Sequence, residues 1–352
     1  MNPHEFQLFL LGWYDRAGRK DLPWQQERTP YRVWVSEIML QQTQVSTVIP
    51  FFERFMEAFP SLEVLAKAEI DQVLHLWAGL GYYSRARNLH RAAQQVCSLY
   101  HNRFPDQLQI LCDLPGVGRS TAGAILSLAF DRPFPILDGN VKRLWARLHG
   151  IETWSGESST QRRLWGLSER YLPAKRAADY TQALMDFGAT VCTRSRPECD
   201  SCPFQDACRA YKDGLVGKIP VPRPKRSKPV RNSYWLLLVD EQSRLYLERR
   251  PTTGVWGGLW SFPCWDSRTA LEKHCLEIGI ASHAMKWLRP RRHTFTHFQL
   301  EYTPVLAKMT LPPSTIKDKP SCWIASANEP EVAVPTPVRK LLREFGSHNM
   351  LT

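Results

Sequence analysis

Apolar residues through the N-terminal half recur at helical spacing between short turns rich in Pro and Gly. Phe6, Phe9, Leu10 and Trp13 fall at i, i+3, i+4 and i+7 and predict an amphipathic first helix. Leu22-Pro23-Trp24 interrupts the chain, and Thr29-Pro30-Tyr31 reads as an N-cap with Pro in the first turn. The helix predicted over Val33–Val48 is apolar on almost every side, so it should be buried, yet it carries Glu37. On a continuous helix Glu37, Gln41 and Gln44 share one face, a polar stripe through an apolar element. Further helices are predicted over Leu62–Ala68, Asp71–Trp77 and Ser84–Tyr100, the last two separated by the turn Gly79-Leu80-Gly81-Tyr82-Tyr83.

The stretch from Asp113 to Arg143 has a denser pattern. Leu108, Leu111 and Cys112 sit at helical spacing, Pro115-Gly116-Val117-Gly118 makes a tight turn, and an apolar helix follows. Gly116 and Gly118 are expected to take positive φ angles and to let another surface come close. The helix start just beyond offers unpaired N–H groups to an anion, so such a loop holds a phosphate without reading a base. An ordinary turn between two helices would carry the same LPGVG sequence. Asp138 precedes a helix predicted over Gly139–Leu148 as its N-cap, and more helices are predicted over Ser158–Tyr171 and Ala177–Gly188.

The pattern changes after residue 215. Residues 216–232 hold six Lys or Arg, four Pro and no acidic residue, and read as an extended interdomain linker. Beyond it, strands are predicted over Tyr234–Val239 and Arg244–Glu248, a helix over Ala270–Glu277, and a half-buried strand through Phe298, Leu300 and Tyr302. Thr336-Pro337 followed by Val338, Leu341, Leu342 and Phe345 describes a terminal helix. The expected organisation is a mostly α domain over 1–215, a linker over 216–232 and an α+β domain over 233–352.

A net charge of +12 and a pI near 9.4 point to an anionic partner, most simply nucleic acid. No apolar run is long enough for a membrane span and no secretory leader pattern is present, so a cytoplasmic location is expected. Cys192, Cys199, Cys202 and Cys208 follow the spacing C-x6-C-x2-C-x5-C, which in a reducing compartment suggests a metal. Spacing alone leaves an iron–sulfur cluster and a four-thiolate zinc site both open. Glu37 in apolar surroundings is a candidate general acid, since desolvation raises a carboxyl's pKa. A second acid, Asp138, would supply the other half of a glycosidic-bond chemistry, in which one carboxyl protonates the leaving group and one stabilises the cationic sugar.

Four features together resemble the helix-hairpin-helix DNA glycosylases of the endonuclease III superfamily: LPGVGRSTA, FPILDGNV, the cysteine spacing and the Gly-Tyr-Tyr turn. Within it, VWVSEIMLQQTQV, GLGYYSRARNL and the mixed C-terminal domain resemble the adenine DNA glycosylase (MutY) family. The resemblance implies removal of adenine mispaired with 8-oxoguanine or guanine in double-stranded DNA, by a monomer with no membrane partner. It implies that Glu37 protonates adenine N7, that Asp138 stabilises the cationic sugar, and that Asn140 hydrogen-bonds within that site. Gln42 and Tyr82 would enter the base stack, and Gly116, Val117, Gly118, Ser120 and Lys142 would lie along the DNA. The four cysteines would hold a [4Fe–4S] cluster. Superfamily members that also cut the backbone have Lys where Ser120 stands; a serine forms no Schiff base, which implies a monofunctional enzyme. The C-terminal domain resembles a Nudix fold whose helix Leu271–Glu277 lacks the paired acids for Mg²⁺, so it should bind and not hydrolyse. His293–His297 resembles the family's lesion-recognition loop, with Phe295 as wedge and Thr296 and His297 as hydrogen-bonding groups.

Overall fold

The computed structural model describes residues 1–224, 227–309, 320–325 and 332–347; Lys225 and Arg226 of the basic linker lie outside them. Among the described residues, no helix is long and apolar enough to cross a membrane. The chain divides into two compact units, Met1–Ala68 with Arg87–Lys225, and Glu69–Ala86 with Arg226–Thr352.

The first unit is helical. Helix α1 (Pro3–Ala17) opens on a capping box between Asn2 and Glu5, and Phe6, Leu10 and Tyr14 form its buried stripe. Phe6 stacks on Phe204 at 4.6 Å and meets Trp145 and Tyr171, which ties the chain start to the later helices. Helices α2 (Pro23–Gln26) and α3 (Pro30–Leu40) follow, with Thr29 capping α3 as its sequence suggested. The single helix expected over Val33–Val48 is in fact two. Helix α3 stops at Leu40, Gln42 takes φ 58°, and α4 (Val45–Ala58) begins three residues later. Gln41 to Gln44 offer no apolar side chain for the core, so nothing resists the break. Val48 instead belongs with Phe52, Phe55 and Met56 on the buried face of α4. Short α5 (Leu62–Lys67) completes the first segment; α6 (Ile70–Leu76) belongs to the second unit. Helix α7 (Ser84–Leu99) enters the first unit at Arg87. Helices α8 (Leu108–Asp113) and α9 (Arg119–Phe130) flank the hairpin turn. Helices α10 (Gly139–Leu148), α11 (Ser158–Arg170), α12 (Ala177–Thr190) and α13 (Arg209–Lys212) finish the unit.

The second unit is a mixed sheet covered on both faces. Strand β1 (Val230–Val239) starts four residues before the predicted strand, inside the basic linker. It runs parallel to β7 (Gln299–Lys308), in register from Val230↔Gln299 to Val239↔Lys308. Strand β2 (Arg244–Arg249) pairs antiparallel with β1, and β3 (Trp260–Ser261) and β8 (Ser321–Ala325) pair with β2. Strand β4 (Cys264–Trp265) pairs with β1, while β5 (Lys286–Trp287) and β6 (Arg291–Thr294) pair with β7. Alternation along β1 splits the core. Trp235, Leu237 and Val239 join the face under α15 (Thr336–Ser347), and Leu236 and Leu238 the face under α14 (Arg268–Glu277). Residues 69–86 belong here as well. Asp71 pairs with Arg249 at 2.7 Å, and the Tyr83 hydroxyl donates to the Val334 carbonyl at 3.3 Å.

Candidate active site

A cleft of about 1010 Å³ in the first unit is lined by Glu37, Gln41, Gln42, Ser120, Thr121, Asp138, Asn140 and Arg143. Glu37 comes from the last turn of α3, in a helix whose other residues are mostly core, so its carboxyl is carried inward with them. Its residue surface is only partly covered, because one side looks into the cleft, but the carboxyl itself sits deep among apolar atoms. Burial pushes it up to about 8, and the Asp138 charge adds to the rise.

Asp138 is the N-cap of α10: its Oδ1 accepts the Val141 N–H at 2.8 Å. Burial raises its pKa too, but the Val141 and Asn140 N–H groups and the Arg143 and Lys142 cations oppose the rise. No donor or cation opposes the rise at Glu37, so of the two carboxyls Glu37 holds its proton more tightly. Two carboxyls in unlike surroundings therefore face the same hollow, and Glu37 is the one held protonated near pH 7.

The segment ahead of Asp138 is held from the hairpin side. Ser120, in the first turn of α9, accepts the Leu137 N–H on its Oγ at 2.9 Å, fixing the peptide next to the carboxylate. Asn140 lies where α10 meets α12 so closely that a Cβ on Gly188 would fall 2.5 Å from the Asn140 Cβ. Arg143 donates to the Asn140 Oδ1 at 2.8 Å and to the Cys192 carbonyl at 2.7 Å. Sequence reasoning did not single out Arg143, nor Arg19, Gln182 and Asp186. Arg19 makes two hydrogen bonds to Asp186 Oδ1, at 2.6 and 3.0 Å, and Gln182 Nε2 donates to the same oxygen at 2.9 Å. Gln182 and Asp186, four apart in the apolar helix α12, were the available signal.

In the hairpin turn, Gly116 has φ +80°, and a Cβ there would lie 2.9 Å from the Asn88 Cβ. Gly118, also expected at positive φ, is extended at −93° and serves as the N-cap of α9. Val117 is buried, and its N–H donates to the Leu114 carbonyl at 3.1 Å. Gln41 Nε2 reaches the Gly116 carbonyl and the Thr121 hydroxyl, both at 3.4 Å, linking the end of α3 to the turn. Lys142 lies one turn into α10, near enough to act on the Asp138 charge.

Cys192, Cys199, Cys202 and Cys208 all line one small cavity beside Arg147 and Phe204. The buried Arg147 donates to the Thr193 carbonyl at 2.6 Å, the Arg194 carbonyl at 3.0 Å and the Cys192 Sγ at 3.5 Å. Among the described residues, no three His, Cys, Asp or Glu side chains are placed to hold a single metal ion. The four thiols line one hollow, a donor set whose chemistry suits a thiolate-bound metal centre.

In the second unit, Tyr82 is 47% exposed at φ 49°, in a turn held by Trp77 Nε1 and Arg85 donating to the Gly81 carbonyl at 3.1 and 3.2 Å. Thr296 and His297 are exposed at the tip between β6 and β7, closed by the Phe295 N–H to Phe298 carbonyl bond at 2.9 Å. Phe295, the residue the resemblance makes a wedge, is half-buried, stacked 4.4 Å from Phe298 and 5.2 Å from Trp256. Its ring serves the core beneath the tip.

Residues 35–170 match the model of the HhH-GPD superfamily base excision DNA repair protein, and residues 234–344 that of the NUDIX domain. An adenine DNA glycosylase of Buchnera aphidicola (from Acyrthosiphon pisum) is 35% identical over 98% of this chain and 99% of its own length. The Homo sapiens adenine DNA glycosylase is 33% identical over 97% of this chain and 74% of its own. Among solved structures, a thermostable thymine-DNA glycosylase is similar with TM-score 0.53 and 28% identity, covering 60% of this chain and 97% of the other. An endonuclease III–DNA complex shares the fold, with TM-score 0.52 at 22% identity, covering 61% and 99%.

Proposed function

The chain belongs to the adenine DNA glycosylase family, and from that premise we propose which of its residues carry the reaction. It is a monofunctional DNA glycosylase that binds DNA and removes adenine in base excision repair. The turn Gly116-Val117-Gly118 and the α9 N-terminus hold a phosphate, while Gln42 and Tyr82 enter the stack and offset part of the few kcal/mol that extruding a nucleotide costs. Neutral Glu37 donates its proton to adenine N7, which makes the base a better leaving group. The Asp138 carboxylate stabilises the positive charge that grows on the sugar, Asn140 hydrogen-bonds beside it, and water completes hydrolysis to an abasic site. With Ser120 in place of an amine, no covalent adduct forms at the sugar.

The observation that carries this reading is that Glu37 and Asp138, about a hundred residues apart, line one cleft, with burial holding Glu37 protonated. The substrate we propose is adenine opposite 8-oxoguanine or guanine in duplex DNA, with Thr296 and His297 hydrogen-bonding to the opposite base and the chain acting as a monomer. Cys192, Cys199, Cys202 and Cys208 are the donors for a [4Fe–4S] cluster, which would hold the Arg194–Pro197 loop in place. The test is incubation with duplexes bearing A opposite 8-oxoguanine, G, C and T, scoring strand breaks before and after alkali. Alkali-dependent cleavage, fastest opposite 8-oxoguanine, is expected; borohydride trapping of a covalent adduct would overturn the monofunctional assignment.

A further inference from the structure

The basic end of the linker is fastened to the hairpin that carries Thr296 and His297. We propose that Lys228 and Arg231 are specificity-determining positioning residues, which fix this tip and so set the preference for the base opposite adenine. The inference rests on the reading of the tip given above.

Three contacts support it. Lys228 Nζ donates to the Phe295 carbonyl at 2.8 Å, at the point where the chain turns. The Arg231 guanidinium lies 4.6 Å from the centre of the Phe298 ring, and that ring is 4.9 Å from His297. Arg231 therefore braces Phe298, only 1% exposed, against which Phe295 stacks at 4.4 Å and His297 leans at a tilt of 57°. Third, the Gln299 N–H donates to the Pro229 carbonyl at 2.9 Å, where the ten-residue parallel pairing of β1 with β7 begins. The tip thus sits on a strand pair whose other member is the linker. Trp256, at φ 54°, adds a further clamp with its ring 5.2 Å from Phe295 and 5.5 Å from His293. A bulky residue at positive φ is kept only where its surroundings demand it.

The competing role for two exposed cations in a DNA-binding protein is plain phosphate contact. Such contacts add affinity for every duplex alike and steepen the salt dependence. A positioning role instead shows in the ratio between two duplexes that differ only in the base opposite adenine.

The experiment uses the full chain with Lys228→Met, Arg231→Leu and the double variant, read as single-turnover adenine release opposite 8-oxoguanine and opposite guanine. Thr296→Ala/His297→Ala serves as the control for the tip itself. The double variant should lower the 8-oxoguanine-to-guanine rate ratio by about five- to tenfold, a fraction of what one exposed cation–π contact and one charged hydrogen bond together contribute, since the tip keeps its other supports. Arg231→Lys, which keeps the charge and loses the flat stacking group, should lose part of that ratio. Equal falls on both duplexes with a shallower salt dependence would make the two residues phosphate contacts and overturn the proposal. An unchanged ratio in the double variant, with the ratio lost in the control, would overturn it too. If the control itself keeps the ratio, the reading of the tip fails, and this inference fails with it.

Discussion

Replacing Glu37 with Gln should make the protein more stable at neutral pH while ending adenine release. The Glu37 carboxyl titrates at about 8 in the folded chain, against an ordinary value of 4.5. A shift of that size corresponds to roughly 3–5 kcal/mol. Below pH 4.5 the acid is neutral in both the folded and the unfolded chain, and its contribution to stability is fully present. As pH rises from 4.5 to 8 the unfolded chain gives up the proton and the folded chain holds it, so folding grows progressively less favourable. Gln does not titrate and removes that penalty. The stability gap between Glu37→Gln and wild type should therefore be under about 1 kcal/mol at pH 5 and reach about 3–5 kcal/mol at pH 8. For a helical unit of this size that is a rise of about 5–15 °C in its melting transition. Calorimetry of the intact chain at both pH values reads it directly, with alkali-dependent strand cleavage measured on the same samples. A gap that is equal at the two pH values, or a variant less stable at pH 8, would refute the claim that burial holds Glu37 protonated.

Asp138→Asn should leave stability within about 1 kcal/mol, because Asn caps a helix as well as Asp does, while adenine release is lost and duplex binding stays; calorimetry, single-turnover kinetics and duplex titration separate the three. Ser120→Ala removes the acceptor for the Leu137 N–H and should slow adenine release about tenfold without changing duplex affinity, and Ser120→Thr should recover most of the rate. Gly116→Ala should cost about 1–3 kcal/mol in thermal unfolding, since it puts a Cβ at φ +80° against Asn88. Gly118→Ala should cost under about 1 kcal/mol, because its φ of −93° and open surroundings accept a side chain; any loss it shows in duplex affinity then reports on the phosphate rather than the fold.

Features written in local chemistry were legible in the sequence. The Pro-Gly-Val-Gly turn, the Thr29 and Asp138 caps and the strand alternation all depend on residues within a few positions of one another. The break after Leu40 was not legible, because Gln41 to Gln44 suit the exposed side of one long helix as well as a loop between two. Arg19 with Asp186, Arg143 with the Cys192 carbonyl, and residues 69–86 with the C-terminal unit are long-range pairings, for which periodicity holds no signal. The stacking of Phe295 on Phe298, three residues on and buried, is a packing detail that periodicity does not carry. Glu37 was legible as an anomaly, an acid in an apolar run, and Asp138 as a cap that could serve as a second acid; their meeting in one cleft came from the fold.

The parallel pairing of β1 with β7 also bears on tether length. Side chains change face at every residue along a strand, so deleting one residue between Val230 and Val239 would exchange the two apolar faces of the central strand. Insertions and deletions in the basic segment are therefore tolerated only upstream of Lys228 and after Ile219, which is buried and accepts a hydrogen bond from Arg147. Reach and recognition are thereby set by separate stretches of polypeptide: one adjustable in length, the other locked in step with the hairpin it supports.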